Sequence, residues 1–140
     1  MKLVDSHAHI GEEVFDADRA ELLVRARDAG VEQIVVIGYD EPSSRKAIEV
    51  AAAAPRSATA ESPGLAATAG FAPHNVADAT PEALAAVRDL LGHERVVAVG
   101  EIGLDYHYDM PRDAQRALFD RQLGWAVDEG LPVVIHSREA

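Results

Sequence analysis

The chain has 140 residues, no cysteine, 48% hydrophobic residues and a formal net charge of -11. That length and apolar content suffice for one domain with a buried core, while the lack of cysteine excludes a disulfide framework and any thiolate metal site. The acidic balance, with lysine only at Lys2 and Lys46, argues against non-specific polyanion binding, and the apolar runs fall far short of the ~20 residues of a membrane span, so a soluble cytoplasmic protein is expected.

In chain order, the apolar run KLV at 2–4 reads as a first strand. The stretch DADRAELLVRARDAG reads as a helix, with aspartates capping its start, Gly30 at its end and Leu22, Leu23, Ala26 and Ala29 on one side. QIVVI at 33–37 is a second strand, followed by a helix that starts at Ser43 or Ser44 and stops at Pro55. LAATAGF at 65–71 is a third strand. TPEALAAVRDLLG then places Thr80 as cap, Pro81 at the first helical position and Gly92 just past the end. VVAVG at 96–100 is a fourth strand, a helix runs from about Asp113 to Gly130, and PVVI at 132–135 is a fifth strand.

The strands are short and rich in valine and isoleucine, as strands buried on both faces are. A strand and a helix recur about every 33 residues, which predicts an α/β fold with a parallel sheet joined by right-handed crossovers. The polar loop at 55–64 is too short for a domain linker, so residues 1–140 are expected to form one unit.

His7 and His9 follow the first strand one residue apart, and in an extended chain residues i and i+2 project to the same face. Glu101 ends VVAVGE in step with Val97 and Val99, and His136 ends PVVIH. In parallel α/β folds the carboxyl ends of the strands share one rim, so these four side chains are expected to converge there. Imidazole nitrogen with carboxylate oxygen suits Zn, Mn, Ni or Mg-class ions, and one carboxylate can bridge two of them. Taken singly, each residue has an ordinary reading as a surface pair, a solvated charge or a backbone-satisfied histidine. Their coincidence at one rim favours a metal centre.

Three further residues carry open alternatives. His74, in FAPHN, lies on the same rim and is either a substrate contact or a loop histidine without a role. Asp105, in GEIGLDY, either hydrogen-bonds a ligand histidine or caps a turn. Arg138 either grips a phosphate or makes a surface salt bridge. His93 and His107 read as surface residues.

VDSHAHI, GEIGLDYHYD and PVVIHSRE, in this order and at these intervals, resemble the TatD-related metal-dependent deoxyribonucleases of the amidohydrolase superfamily. The resemblance implies a (β/α)₈ barrel of the TIM type, a two-ion site of Mg, Mn or Zn, and hydrolysis of DNA phosphodiester bonds, often as an exonuclease. It also implies that His7 and His9 bind one ion, that His136 binds the second, and that Glu101 bridges both as the catalytic carboxylate. The family's pattern adds a histidine after the sixth strand and an aspartate after the eighth, for which this sequence has no counterpart. It often has a histidine where this chain has Ala72, and His74 matches the second histidine of that stretch.

A complete barrel takes roughly 250 residues, so five strands and four helices make an incomplete TIM-like barrel. Its first and last strands are expected as open edges, which invite self-association. A truncated form with low or no nuclease activity is the resulting expectation. Two other functions stay open: an amidohydrolase acting on a small amide, ester or lactone, and a non-catalytic fragment or binding module.

Overall fold

Strand order follows chain order. In a computed structural model describing residues 1–140, the strands are β1 (Leu3–Ala8), β2 (Val31–Val36), β3 (Gly64–Ala69), β4 (Val96–Asp105) and β5 (Val133–Arg138). They form one sheet in the order β1-β2-β3-β4-β5, and every neighbouring pair is parallel. Between them lie helices α1 (Arg19–Asp28), α2 (Glu41–Ala52), α3 (Pro81–Leu90) and α4 (Arg112–Glu129). A doubly wound sheet reverses its strand order at a switch point, whereas this one advances by one strand at each crossover, which is the (β/α) barrel progression. The chain therefore has the incomplete parallel barrel expected from its sequence.

The core lies where the middle strands meet α2 and α3. Every residue of β3 is buried, and Val36, Ala47, Ala51, Leu65, Ala67, Phe71 and Val87 are each no more than 1% exposed. The alanines matter here because small side chains let α2 sit close against β3. The edges differ sharply: β1 has one partly buried residue in six, and Val4 and Ile135 are 67% and 54% exposed. No helix is long and apolar enough to cross a membrane.

Helix starts depart from the sequence reading in two places. Helix α2 begins at Glu41, ahead of Ser43, because Asp40 is its cap: its carboxylate accepts from the Ser43 N–H at 2.8 Å, and Ser43 Oγ accepts from the Asp40 N–H at 2.9 Å. This reciprocal pair satisfies two amides that the first turn leaves free. The aspartates ahead of α1 do not cap it; Asp16 instead binds Arg19 at 2.6 Å and Asp18 binds Arg25 at 3.3 Å. Thr80 does cap α3, accepting from Ala83 N–H at 3.2 Å, and Gly130 closes α4 in the left-handed conformation at φ 65°.

The fourth strand is longer than expected. It continues past Gly100 to Asp105, since Ile102 to Asp105 pair with Ile135 to Arg138 of β5. Gly103 permits this: its φ is 143°, and a Cβ at that position would strike the His136 carbonyl. Glu101 thus sits inside a strand, and Asp105 occupies the strand end.

Candidate metal centre

Four side chains from three strands meet at the carboxyl ends. Glu101, 6% exposed, is held in place by its backbone N–H, which donates to the Gly38 carbonyl at 2.6 Å. Its two oxygens face opposite ways. Oε2 lies 3.8 Å from His7 Nε2 and 3.8 Å from His9 Nε2, while Oε1 lies 2.9 Å from His136 Nδ1. The two Nε2 atoms of His7 and His9 are 3.2 Å apart, so the expected same-face alternation holds. Asp5 Oδ1 accepts from the His7 N–H at 3.1 Å and steadies this turn.

The other imidazole nitrogen of His136 is also occupied: Nε2 lies 2.9 Å from Oδ2 of Asp105, a carboxylate 1% exposed. One imidazole therefore stands between two carboxylates. A neutral imidazole carries a single N–H, so it donates to one carboxylate and sets a lone pair against the other. A cation between Nδ1 and Glu101 Oε1 removes that conflict, with Asp105 holding the proton on Nε2. The Nε2 atoms of His7 and His9 are within hydrogen-bond reach of each other but not of Oε2, and His9 Nδ1, a buried atom, has no hydrogen-bond partner. Donor atoms of His7, His9 and Glu101 all lie within 4.8 Å of one another, as do those of His74, Asp105 and His136. The donor chemistry fits divalent ions.

Asp105 is held on every side. Its Oδ1 accepts from the His107 N–H at 3.0 Å. Its backbone N–H and carbonyl are both engaged by the buried side chain of Gln115 on α4, at 2.8 Å each. Burial pushes its carboxyl pKa up, but the hydrogen bonds from His136 and from the His107 N–H, with the positive charge of Arg138, outweigh that and leave it below the ordinary value. Sequence reasoning missed Gln115, and it missed Gln122, which binds the Phe71 N–H and carbonyl in the same manner at 2.7 and 2.9 Å. The available signal was their spacing: two glutamines seven residues apart on a helix share the face that points to the sheet.

An open cavity of about 560 Å³ lies over the centre, lined by His9, Glu12, Tyr39, His74, Glu101 and His136. His74 is exposed and sits edge-on to His136, with ring centroids 5.5 Å apart. Sequence reasoning also missed Tyr39, three residues beyond the end of β2. Its ring is 5.6 Å from that of His9, and burial first, then the charges of Glu12 and Asp40, raise its hydroxyl pKa above the ordinary 10.0. Arg138 is exposed and apart from the cluster; its Nη1 donates to the Tyr108 hydroxyl at 3.4 Å. His107 is exposed and pairs with Glu139 at 2.9 Å, and His93 accepts from the Arg95 N–H at 3.1 Å; neither joins the centre.

Comparison with known proteins adds a family. The sequence profile described as TatD related DNase matches residues 4–140. An uncharacterized metal-dependent hydrolase of Bacillus subtilis, YabD, is 40% identical over 139 residues, covering 99% of this chain and 51% of the relative. A 3'-5' ssDNA/RNA exonuclease TatD of Musicola paradisiaca is 38% identical over 128 residues, covering 90% of this chain and 46% of the relative. Among solved structures, the Escherichia coli TatD homolog YjjV superposes with a TM-score of 0.85 at 31% identity, covering 98% of this chain and 51% of that one. The chain spans about half the length of the curated relatives it matches.

Proposed function

The chain belongs to the TatD-related DNase family, and from that premise we propose that its rim centre is a two-ion site for hydrolysing phosphodiester bonds in single-stranded nucleic acid. The single observation carrying this reading is the orientation of Glu101, whose Oε2 faces His7 and His9 and whose Oε1 faces His136. A carboxylate so placed divides three imidazoles into two half-sites that share it. The exonuclease relatives support the substrate class.

Divalent ions bound there would supply a water nucleophile near neutral pH and neutralise charge on the scissile phosphate. His7, His9 and Oε2 would hold one ion; His136 Nδ1 and Oε1 would hold the other. Three imidazoles weigh toward Zn or Mn over Mg, which prefers oxygen. Asp105 keeps the proton of His136 on Nε2, so that Nδ1 offers its lone pair. His74 reaches over the cavity toward substrate, and Arg138 meets a phosphate further along the strand.

The His7 and His9 side chains are 38% and 37% exposed, so this chain does not exclude water from its site, and turnover is expected to be slow. The decisive measurement is therefore ion binding followed by digestion of labelled single-stranded DNA. Calorimetry with Mn²⁺ and Zn²⁺ is expected to give two ions per chain, and Glu101→Ala to lose both together. Unchanged stoichiometry in Glu101→Ala, or digestion that survives a chelator, would overturn the reading.

The exposed apolar residues on both edge strands, Val4 and Ile135, support self-association through the sheet edges. Sedimentation is expected to show mass rising with concentration; a strict monomer would exclude it.

A further inference from the structure

Beside the metal centre, the segment joining β4 to α4 carries a cluster that hydrolysis itself does not use. Arg112 Cζ lies 4.4 Å from the Tyr106 ring centroid and Arg116 Cζ 5.8 Å from it, and Arg116 Nε donates to the Tyr106 hydroxyl at 3.0 Å. Arg138 Cζ lies 5.3 Å from the Tyr108 ring centroid, and the His107 ring meets Tyr108 edge-on at 5.0 Å. Tyr108 is 53% exposed. Three guanidinium groups thus surround two phenol rings on a chain whose net charge is -11.

Elsewhere Arg19, Arg25, Arg27, Arg45, Arg56 and Arg88 each have a carboxylate within 4.0 Å, and Arg95 donates to the Leu65 and Ala54 carbonyls. In this cluster Asp113 stands 3.8 Å from Arg116 and Glu139 2.9 Å from His107. Arg112 and Arg138 stack on tyrosines instead. The cluster is also wired to the centre. Tyr106 N–H donates to the Arg138 carbonyl at 2.9 Å, and His107 N–H donates to Asp105 Oδ1 at 3.0 Å. Asp105 in turn holds His136.

We propose that Tyr106, Tyr108, Arg112 and Arg138 form a platform for single-stranded nucleic acid, Tyr108 stacking an unpaired base and the two arginines taking flanking phosphates. An aromatic face beside unpaired guanidinium groups is what sequence-tolerant binding of unpaired strands requires. A duplex hides its base faces and gains nothing from Tyr108. The platform rests on the hydrolytic reading for its purpose, since it would lead a strand past Asp105 toward Glu101 and His136.

The test is fluorescence anisotropy of a labelled oligothymidylate with the purified chain in chelator, so that neither ions nor cleavage contribute. Tyr108→Ala is expected to weaken binding on the order of 10- to 100-fold, and Tyr108→Trp to restore it. Arg138→Gln is expected to lower the slope of log affinity against log salt by about 0.7. The same sequence as a duplex is expected to bind more weakly. Absence of binding, an unchanged affinity in Tyr108→Ala, or equally strong competition by polyglutamate would overturn the proposal. Strand binding that depends on Tyr108 with no hydrolysis under any ion would leave the platform standing and remove the hydrolytic reading; hydrolysis with Tyr108→Ala binding as wild type would do the reverse.

Discussion

His136 and Asp105 form a pair with Nε2 and Oδ2 2.9 Å apart, the imidazole reaching the cavity and the carboxylate beneath it only 1% exposed. The consequence for ion binding is specific. A carboxylate that accepts the Nε2 proton fixes the tautomer and makes the Nδ1 lone pair a stronger ligand for an ion beside Glu101. Asp105→Asn retains the shape but removes the charge, and it is expected to weaken ion affinity roughly 10- to 100-fold. Chelator competition measures this, and an affinity within twofold of wild type would remove Asp105 from the role.

The glutamines of α4 make a prediction about stability. Gln122 satisfies both backbone groups of Phe71 from inside the protein, at 2.7 and 2.9 Å. Gln122→Ala strands a buried donor and a buried acceptor, each costing about 1–3 kcal/mol, so a loss of roughly 2–6 kcal/mol is expected. Urea denaturation reads it directly. A change below about 0.5 kcal/mol, the size expected of a surface substitution, would show that water replaces the amide.

Much of this architecture is legible from the chain because its signals are local. Thr80-Pro81 and Gly130 mark helix ends through backbone chemistry that tertiary contacts do not override. His7, Glu101 and His136 were placed by one topological rule, that parallel strands share a rim. What escaped detection depends on partners remote in sequence. Gln115 and Gln122 look like solvated helix residues until Asp105 and Phe71 are brought against them. The extension of β4 to Asp105 follows from pairing with β5, 35 residues beyond Glu101 at His136, and no composition in GEIGLDY announces it. Asp40 was passed over as a cap because Ser43 and Ser44 are equally good capping residues, and only the geometry chooses.

Tyr39 predicts a pH dependence at the alkaline end. Its hydroxyl pKa is raised above 10.0, by burial first and then by Glu12 and Asp40. In the unfolded chain the phenol loses its proton near 10, before the folded one does, so the unfolded state binds fewer protons in that window. Stability therefore falls as pH rises through it, and the contribution is fully present below the unfolded value. Tyr39→Phe is expected to flatten the decline in urea midpoint between about pH 9 and 11. An identical decline in the variant would assign it to other groups.

His9 closes the set of predictions with ion-dependent stability. Its Nε2 faces Glu101 at 3.8 Å, and its buried Nδ1 has no hydrogen bond, with Glu12 Oε1 4.0 Å away. An ion on Nε2 would fix the proton on Nδ1 and give Glu12 an N–H to accept, so binding is expected to order the turn after β1 as well as the centre. An ion at a hundred times its dissociation constant stabilises the folded state by about 2.7 kcal/mol. For a domain of this size that raises Tm on the order of 10 °C. Thermal melts with and without Zn²⁺ or Mn²⁺ check the shift, which is expected to shrink strongly in His9→Ala, where only the ion beside His136 and Glu101 Oε1 is left intact, and to shrink less in Glu12→Gln. Equal shifts in all three proteins would mean that the ion binds elsewhere.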